Sequence, residues 1–207
     1  MYINKSIRLK DYDYSRTGAY FVTICVKDWR CLFGKVHKEK MKLNELGKIA
    51  EKYRLEIPKH FENVELDVFV IMPNHIHGII NIFNDKNETA LVGRRYICDL
   101  QENTNNKIVD LKYQKLPIIV STFKAAVTRQ INKLYSNVNF KWQPYYYDHI
   151  IRNEKERENI QSYILSNPAN WKNDIENRST NKGLTQREKK TTLTEYYKDL
   201  FNIKTNQ

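Results

Sequence analysis

The first strong signal along the chain is residues 19–26, AYFVTICV, an apolar run rich in β-branched and aromatic side chains that predicts a strand. Ser15-Arg16-Thr17-Gly18 ahead of it reads as a turn. Trp29 to Val36 has the composition of a short second strand. From Asn44 the period changes. Leu46, Ile49, Ala50 and Tyr53 recur at helical spacing, Asn44 suits the N-cap, and Pro58 is expected to stop the helix near Ile57. Residues 64–71 (VELDVFVI) and 75–83 (HIHGIINIF) predict two more strands, broken by Pro73-Asn74 and close enough to pair as an antiparallel hairpin. Residues 84–113 are polar, Asn-rich and aperiodic, and read as an insertion or a long loop. A second helix is predicted from Ser121 to about Tyr135. Phe123, Ala126, Val127, Ile131 and Leu134 form its apolar stripe, with Lys124 and Arg129 on the other side. Residues 140–151 contain another strand. Asn153 with Glu156 three residues on resembles a capping box, opening a third helix that reaches about Asn167, before Pro168. Beyond Lys172 the chain is mostly polar, with one short helix between Leu193 and Phe201.

The order β-α-β-β-α-β-α predicts an α+β ferredoxin-like (RRM-like) sandwich, an antiparallel sheet with helices on one face. One domain over residues 1–175 and a charged tail over 176–207 are expected. Among the 207 residues, 41% hydrophobic composition suffices for a core, and no apolar run approaches the ~20 residues of a membrane helix. The N-terminus has no apolar segment of a signal peptide, so a soluble, cytoplasmic chain with no membrane partner is expected. Cys25, Cys31 and Cys98 form no CxxC pair, which argues against a disulfide framework or a structural zinc site. Lys and Arg number 35 against 24 Asp and Glu, a net charge of +11, which favours a polyanionic partner such as nucleic acid.

The chemistry concentrates at Asn74-His75-Ile76-His77. Alternation puts His75 and His77 on one face of a strand and Ile76, Ile80 and Ile82 on the other. Two imidazoles side by side are within reach of one metal ion. On spacing alone, a pair of histidines on a solvated strand fits the pattern at least as well. A hydrolase HxHxDH or an HxHxH motif would need Asp or His at position 79, which is Ile79. What remains is a two-histidine site seeking a third ligand. The helix ending near Asn167 can supply one. Tyr163 and Asn167 are four apart and share a face, Ile160 and Ile164 can anchor that helix to the sheet, and an amide oxygen can coordinate a hard cation. A tyrosine beside such a cation can attack phosphorus.

Four segments in order, RTGAYFVTICVKDWR, MPNHIHGII, WQPYYYDHIIRNEKE and IQSYILSNPANW, resemble the single-tyrosine HUH (His-hydrophobic-His) transposases, in particular the branch associated with repetitive extragenic palindromes (REP). The resemblance runs from about Arg8 to Trp171, with 84–113 as a departure. It implies the HUH endonuclease fold, with His75 and His77 as metal ligands, Asn167 as the third ligand and Tyr163 as the nucleophile. It also implies Mg²⁺ or Mn²⁺ as cofactor, single-stranded or hairpin DNA as substrate, and a monomer or homodimer. The activity implied is nicking and rejoining of DNA through a 5′-phosphotyrosine link, which stores the phosphodiester energy and needs no ATP motif. Arg8, Lys10, Lys124, Arg129, His149 and Arg152 are candidate DNA contacts, though His149 and Arg152 also suit a scaffold. Tyr145, Tyr146 and Tyr147 compete for the nucleophile's role, but none has an amide four residues on in a helix. The alternatives are a domesticated hairpin-binding protein that does not transpose, a replication initiator of the same chemistry, and a metal phosphoesterase that releases free ends.

Overall fold

The computed structural model describes residues 17–83 and 115–177, with 195–197, 199 and 201 near the C-terminus. Arg8, Lys10, Cys98, the turn at 15–16 and the 84–113 segment lie outside the described residues. The elements in chain order are β1 (Gly18–Cys25), β2 (Gly34–His37), β3 (Lys40–Leu43), α1 (Glu45–His60), β4 (Val64–Ile71), β5 (His75–Ile82), α2 (Lys115–Leu134), β6 (Tyr147–Ile151) and α3 (Glu154–Ser166). The main sheet has the order β4-β5-β1-β6 with every neighbouring pair antiparallel, and β2–β3 is a separate two-stranded ribbon. Without the ribbon, this β-α-β-β-α-β path with its first and third strands central is the ferredoxin-like arrangement expected from the sequence. Among the described residues no helix is long and apolar enough to cross a membrane.

The period-2 pattern divides the sheet into two packed faces. Tyr20, Val22 and Ile24 of β1 and Ile76, Ile80 and Ile82 of β5 meet Ala50 and Ile57 of α1 and Ile119, Phe123, Val127 and Ile131 of α2. Thus α1 and α2 cover one face, as expected. The opposite face is covered too. Ala19, Phe21 and Ile79 pack beneath Ile160, Tyr163 and Ile164 of α3, together with Tyr197 and Phe201. Those last two belong to the stretch read from sequence as a charged tail, and both are buried.

Helix boundaries differ from the sequence expectation in two places. α1 continues through Pro58 to His60, and Phe61 N donates to Ile57 O at 3.2 Å. Proline forfeits only its own ladder bond, a tolerable loss in a last turn. α2 begins at Lys115, six residues before Ser121, because Leu116, Ile119 and Val120 extend the buried stripe and Pro117 sits in the first turn, where a missing N–H costs least. Ser121 is interior and donates its hydroxyl to Ile118 O at 3.0 Å. The two caps agree with expectation. Asn44 accepts from Gly47 N at 3.0 Å and Asn153 from Glu156 N at 2.9 Å. The Glu156 carboxylate does not close a reciprocal box; it accepts from Arg152 N at 2.7 Å instead.

β4 carries a bulge between Leu66 and Phe69, where Asp67 and Val68 oppose one residue of β5. The bulge presents Asp67 to α3. Arg157 Nη1 donates to Asp67 Oδ2 at 2.7 Å, and Gln161 Nε2 lies 3.0 Å from both carboxylate oxygens. Arg157 and Gln161 are four apart, so one acidic side chain fixes a full turn of α3 against the sheet.

Candidate metal and tyrosine centre

β5 enters the sheet beside β1, with Thr23 opposite His77 and Cys25 opposite His75. Both histidines project to the α3 face, and their ring centroids are 4.3 Å apart. Each has its Nδ1 engaged by a side-chain oxygen. His75 Nδ1 lies 2.8 Å from Asn74 Oδ1, and His77 Nδ1 lies 2.9 Å from Thr23 Oγ1. With Nδ1–H as the donor, both Nε2 lone pairs are directed into the site, an outer-shell arrangement found around metal-bound histidines.

Asp174 completes the cluster. Its Oδ2 is 4.0 Å from His75 Nε2 and 3.9 Å from His77 Nε2. α3 ends at Ser166, Asn167 caps it, and after Pro168 a short 3₁₀ turn over Trp171–Asn173 carries the chain back across the site. Asn167 Nδ2 donates to Asp174 Oδ2 at 2.6 Å, and Glu176 N donates to Asp174 Oδ1 at 2.6 Å. This return strap is pinned from below. Trp29 Nε1 donates to Glu176 Oε2 at 2.7 Å and Asn74 Nδ2 to Glu176 O at 2.9 Å.

The stripe Ile160, Tyr163, Ile164 and Asn167 follows i, i+3, i+4, i+7 spacing and faces the sheet. It sets the Tyr163 hydroxyl 3.1 Å from His77 Nε2. The sequence left the histidine face open, and here the structure differs. His75 and His77 are 0% exposed, Asn167 1%, Asp174 2% and Tyr163 8%. The cover comes from the strap, whose Trp171 ring lies 6.1 Å from His75, and from Tyr197, whose ring lies 5.9 Å from Tyr163.

Burial dominates the electrostatics. It lowers the pKa of His75 to about 3, helped by the neighbouring His77 and opposed by Asp174, so the imidazole is neutral with a lone pair to offer. Burial pushes Asp174 up, but the two imidazoles and the Asn167 amide outweigh it and hold the carboxyl below its ordinary range, ionised. Burial, with the Asp174 charge next, raises Tyr163 well above an ordinary phenol, so its proton stays in place in the closed site.

The donor set fits a divalent cation. His75, His77 and Asp174 each offer one ligand atom, all within 4.8 Å of one another. Two buried polar atoms there, His75 Nε2 and Asn167 Oδ1, have no hydrogen-bond partner. Such atoms cost ~1–3 kcal/mol each when unsatisfied, and a cation satisfies lone pairs of this kind. Imidazole nitrogens with a carboxylate oxygen suit several divalent metals.

The remaining sequence candidates lie elsewhere. The Lys124 ammonium donates to the carbonyls of Gln143 (2.7 Å) and Pro144 (3.2 Å), so it clamps the chain after Trp142 and is not a free cation. His149 Nε2 lies 2.7 Å from Glu156 Oε1, a scaffold contact between β6 and α3. Arg129 and Arg152 are exposed. Tyr145 is exposed, whereas Tyr147 packs at a tilt against Tyr197, ring centroids 4.6 Å apart. Sequence reasoning missed Asp174, Thr23 and Tyr197. Thr23 was readable, since it shares a strand face with Phe21. Asp174 follows a proline and a non-periodic turn, so no spacing rule reaches it.

No protein-family model matches the chain. It is 41% identical over 171 residues, 82% of this chain and 91% of the other, to an uncharacterized protein of Haemophilus influenzae (strain Rd). Among solved structures, a REP-associated tyrosine transposase bound to a REP hairpin overlaps 79% of this chain and 73% of its own at 16% identity, with a TM-score of 0.48. A transposase-like protein from Deinococcus radiodurans overlaps 76% of this chain and 95% of its own at 16% identity, with a TM-score of 0.40.

Proposed function

This chain and the Haemophilus influenzae protein belong to one family, and from that premise we propose that it cleaves and rejoins single-stranded DNA at hairpin-flanked sites, with Tyr163 as nucleophile, in the manner of the palindrome-associated HUH transposases its motifs resemble. The observation that carries this reading is the Tyr163 hydroxyl 3.1 Å from His77 Nε2, in a buried cluster with an ionised acid and two orphaned ligand atoms. His75, His77 and Asp174, with Asn167 as a fourth donor, would hold a divalent cation. That cation supplies Lewis-acid polarisation of a phosphate oxygen and offsets transition-state charge.

The chain's own groups do the rest. Asn74 and Thr23 fix the imidazole tautomers. The Asp67 clamp on Arg157 and Gln161 holds α3, and with it Tyr163, at a set height over the sheet. The phenol oxygen attacks phosphorus, forms a 5′-phosphotyrosine bond and expels the 3′-oxygen, which leaves as a hydroxyl. A second 3′-hydroxyl reverses the step, joins a new end and restores the phenol. The phenol passes its proton to water that enters with the DNA, and the departing 3′-oxygen takes one back from that water. Displacing Tyr197, which covers the phenol, to admit DNA also removes the burial that keeps that proton on.

The test is a labelled single-stranded hairpin from DNA flanking the coding region, incubated with Mg²⁺ or Mn²⁺. A denaturation-resistant adduct that Tyr163→Phe abolishes is the expected result; an adduct that survives the substitution removes Tyr163 from the role. The closure of the centre favours a second reading, a hairpin-binding protein that does not cut. Tight binding with no adduct under either metal would support it.

A further inference from the structure

The β2–β3 ribbon has two unlike faces. Val36, Met41 and Leu43 point to one side, and Met41 and Leu43 pack against the main core. Lys35, His37, Lys40 and Lys42 alternate with them and are exposed. The register sets these four directly opposite one another, Lys35 across from Lys42 and His37 across from Lys40. Like charges in facing positions destabilise a strand pair. The ribbon's only carboxylate is Glu39, in the turn beside Lys38. Nothing in the fold requires lysine at these positions, since exposed strand sites accept threonine or an opposite charge.

The ribbon is also tied to the metal and tyrosine centre. Phe33 N, at its entrance, donates to Pro73 O at 3.0 Å, and Asn44 N, at its exit, donates to Phe33 O at 3.0 Å. Pro73 stands two residues before His75. Gly34 makes the close start possible: its φ is +140° and a Cβ there would collide with the Lys42 carbonyl oxygen. A two-stranded ribbon with a cationic outer face, packed on the α1/α2 side, therefore starts at the same end of β5 as the paired histidines.

We propose that this face is a docking surface for the duplex stem of a DNA hairpin, holding phosphates while the unpaired strand reaches the centre. The inference rests on the DNA-processing reading above and assigns that substrate's stem to a place on the protein. The ribbon suits a stem better than an unpaired strand. Surfaces that track single strands interleave cations with stacking aromatics, and this face has no Phe, Tyr or Trp. A two-stranded ribbon is also a shape that a duplex groove admits.

The experiment measures anisotropy of a fluorescein-labelled DNA hairpin, and of an unpaired oligonucleotide of equal length, across a salt series with the full chain, the double variant K35Q/K42Q and the single variant K42E. Thermal melts and Tyr163 adduct yields are recorded alongside. Removing two phosphate contacts lowers the slope of log K against log salt by about 2 and weakens hairpin binding ~10- to 100-fold near 0.1 M salt. The unpaired oligonucleotide is expected to lose much less. K42E puts a carboxylate opposite Lys35, so it should melt no lower than the parent chain while binding the hairpin more weakly, which separates binding from folding. Unchanged hairpin affinity and salt slope, with the adduct still formed, overturn the ribbon and leave the reaction standing. Equal losses on both probes overturn the stem assignment. If the parent chain binds neither probe, both this inference and the reading beneath it fall.

Discussion

His75 Nε2 and Asn167 Oδ1 are buried without hydrogen-bond partners, while His75 and His77 direct their Nε2 atoms toward Asp174 Oδ2 at 4.0 and 3.9 Å. A divalent ion bound there stabilises the fold by mass action, without any DNA present. At a hundred times the dissociation constant the gain is about 2.7 kcal/mol. A domain of this size shifts its melting point by ~2–4 °C per kcal/mol, so the parent chain should melt ~5–11 °C higher in saturating metal than in chelator. His75→Ala removes one ligand. In chelator its own effect is mixed: it relieves one orphaned acceptor, but leaves a void and takes the donor from Asn74 Oδ1. In metal the consequence is unambiguous, because the variant should lose most of the shift. The assay is a melt followed by circular dichroism, titrated with Mg²⁺, Mn²⁺ and Zn²⁺ separately. A parent melting point indifferent to all three ions at millimolar levels would refute the donor-set reasoning. So would an equal shift in His75→Ala.

Three further outcomes follow from the geometry. Tyr163→Phe should abolish the covalent adduct, retain DNA binding and cost about 1 kcal/mol in a chemical denaturation series, one hydrogen bond to His77 being lost. Asp67→Ala should destabilise the chain by ~1–3 kcal/mol, because it strips Arg157 and Gln161 of their shared acceptor; adduct formation should slow while hairpin affinity holds, as single-turnover rates against equilibrium binding would show. Burial lowers the pKa of His149, with Glu156 opposing. The unfolded chain therefore takes up that proton first as pH falls through 6.5, and stability drops below that point. His149→Gln keeps a donor for Glu156 and should flatten that part of the stability–pH curve; an unaltered slope would place the titration elsewhere.

Much of the fold was legible because its signals are local. β4 is VELDVFVI with the bounds its pattern predicts, and alternation correctly put His75 and His77 on one face of β5 and Ile76, Ile80 and Ile82 on the other. Asn44 and Asn153 cap where their spacing says. The misses have separate physical causes. Packing overrode Ser121 as a boundary, through the stripe at Leu116, Ile119 and Val120, whereas Pro58 falls in a last turn that loses only one ladder bond to it. The burial of the centre was illegible because its cover is assembled from Trp171, Asp174 and Tyr197, which no period links. Asp174 becomes a candidate ligand only once the chain has turned back past Pro168, so a sequence search ending at Asn167 found the helix's donor and not the strap's.

The strap also bears on which DNA would be cut. On the proposed reading, a phosphodiester approaching Tyr163 must first part the cover, Trp171 over His75 and Tyr197 over Tyr163, and expose groups that now see almost no solvent. That work is the same for every sequence and is drawn from whatever affinity the rest of the DNA has for the protein. A strand held only at the scission point has little to spare and leaves intact, whereas one gripped at a distance can carry the opening to completion. On the proposed reading, a sealed centre would make the choice of cleavage site depend on contacts far from the bond that breaks, and would spare strands gripped nowhere else.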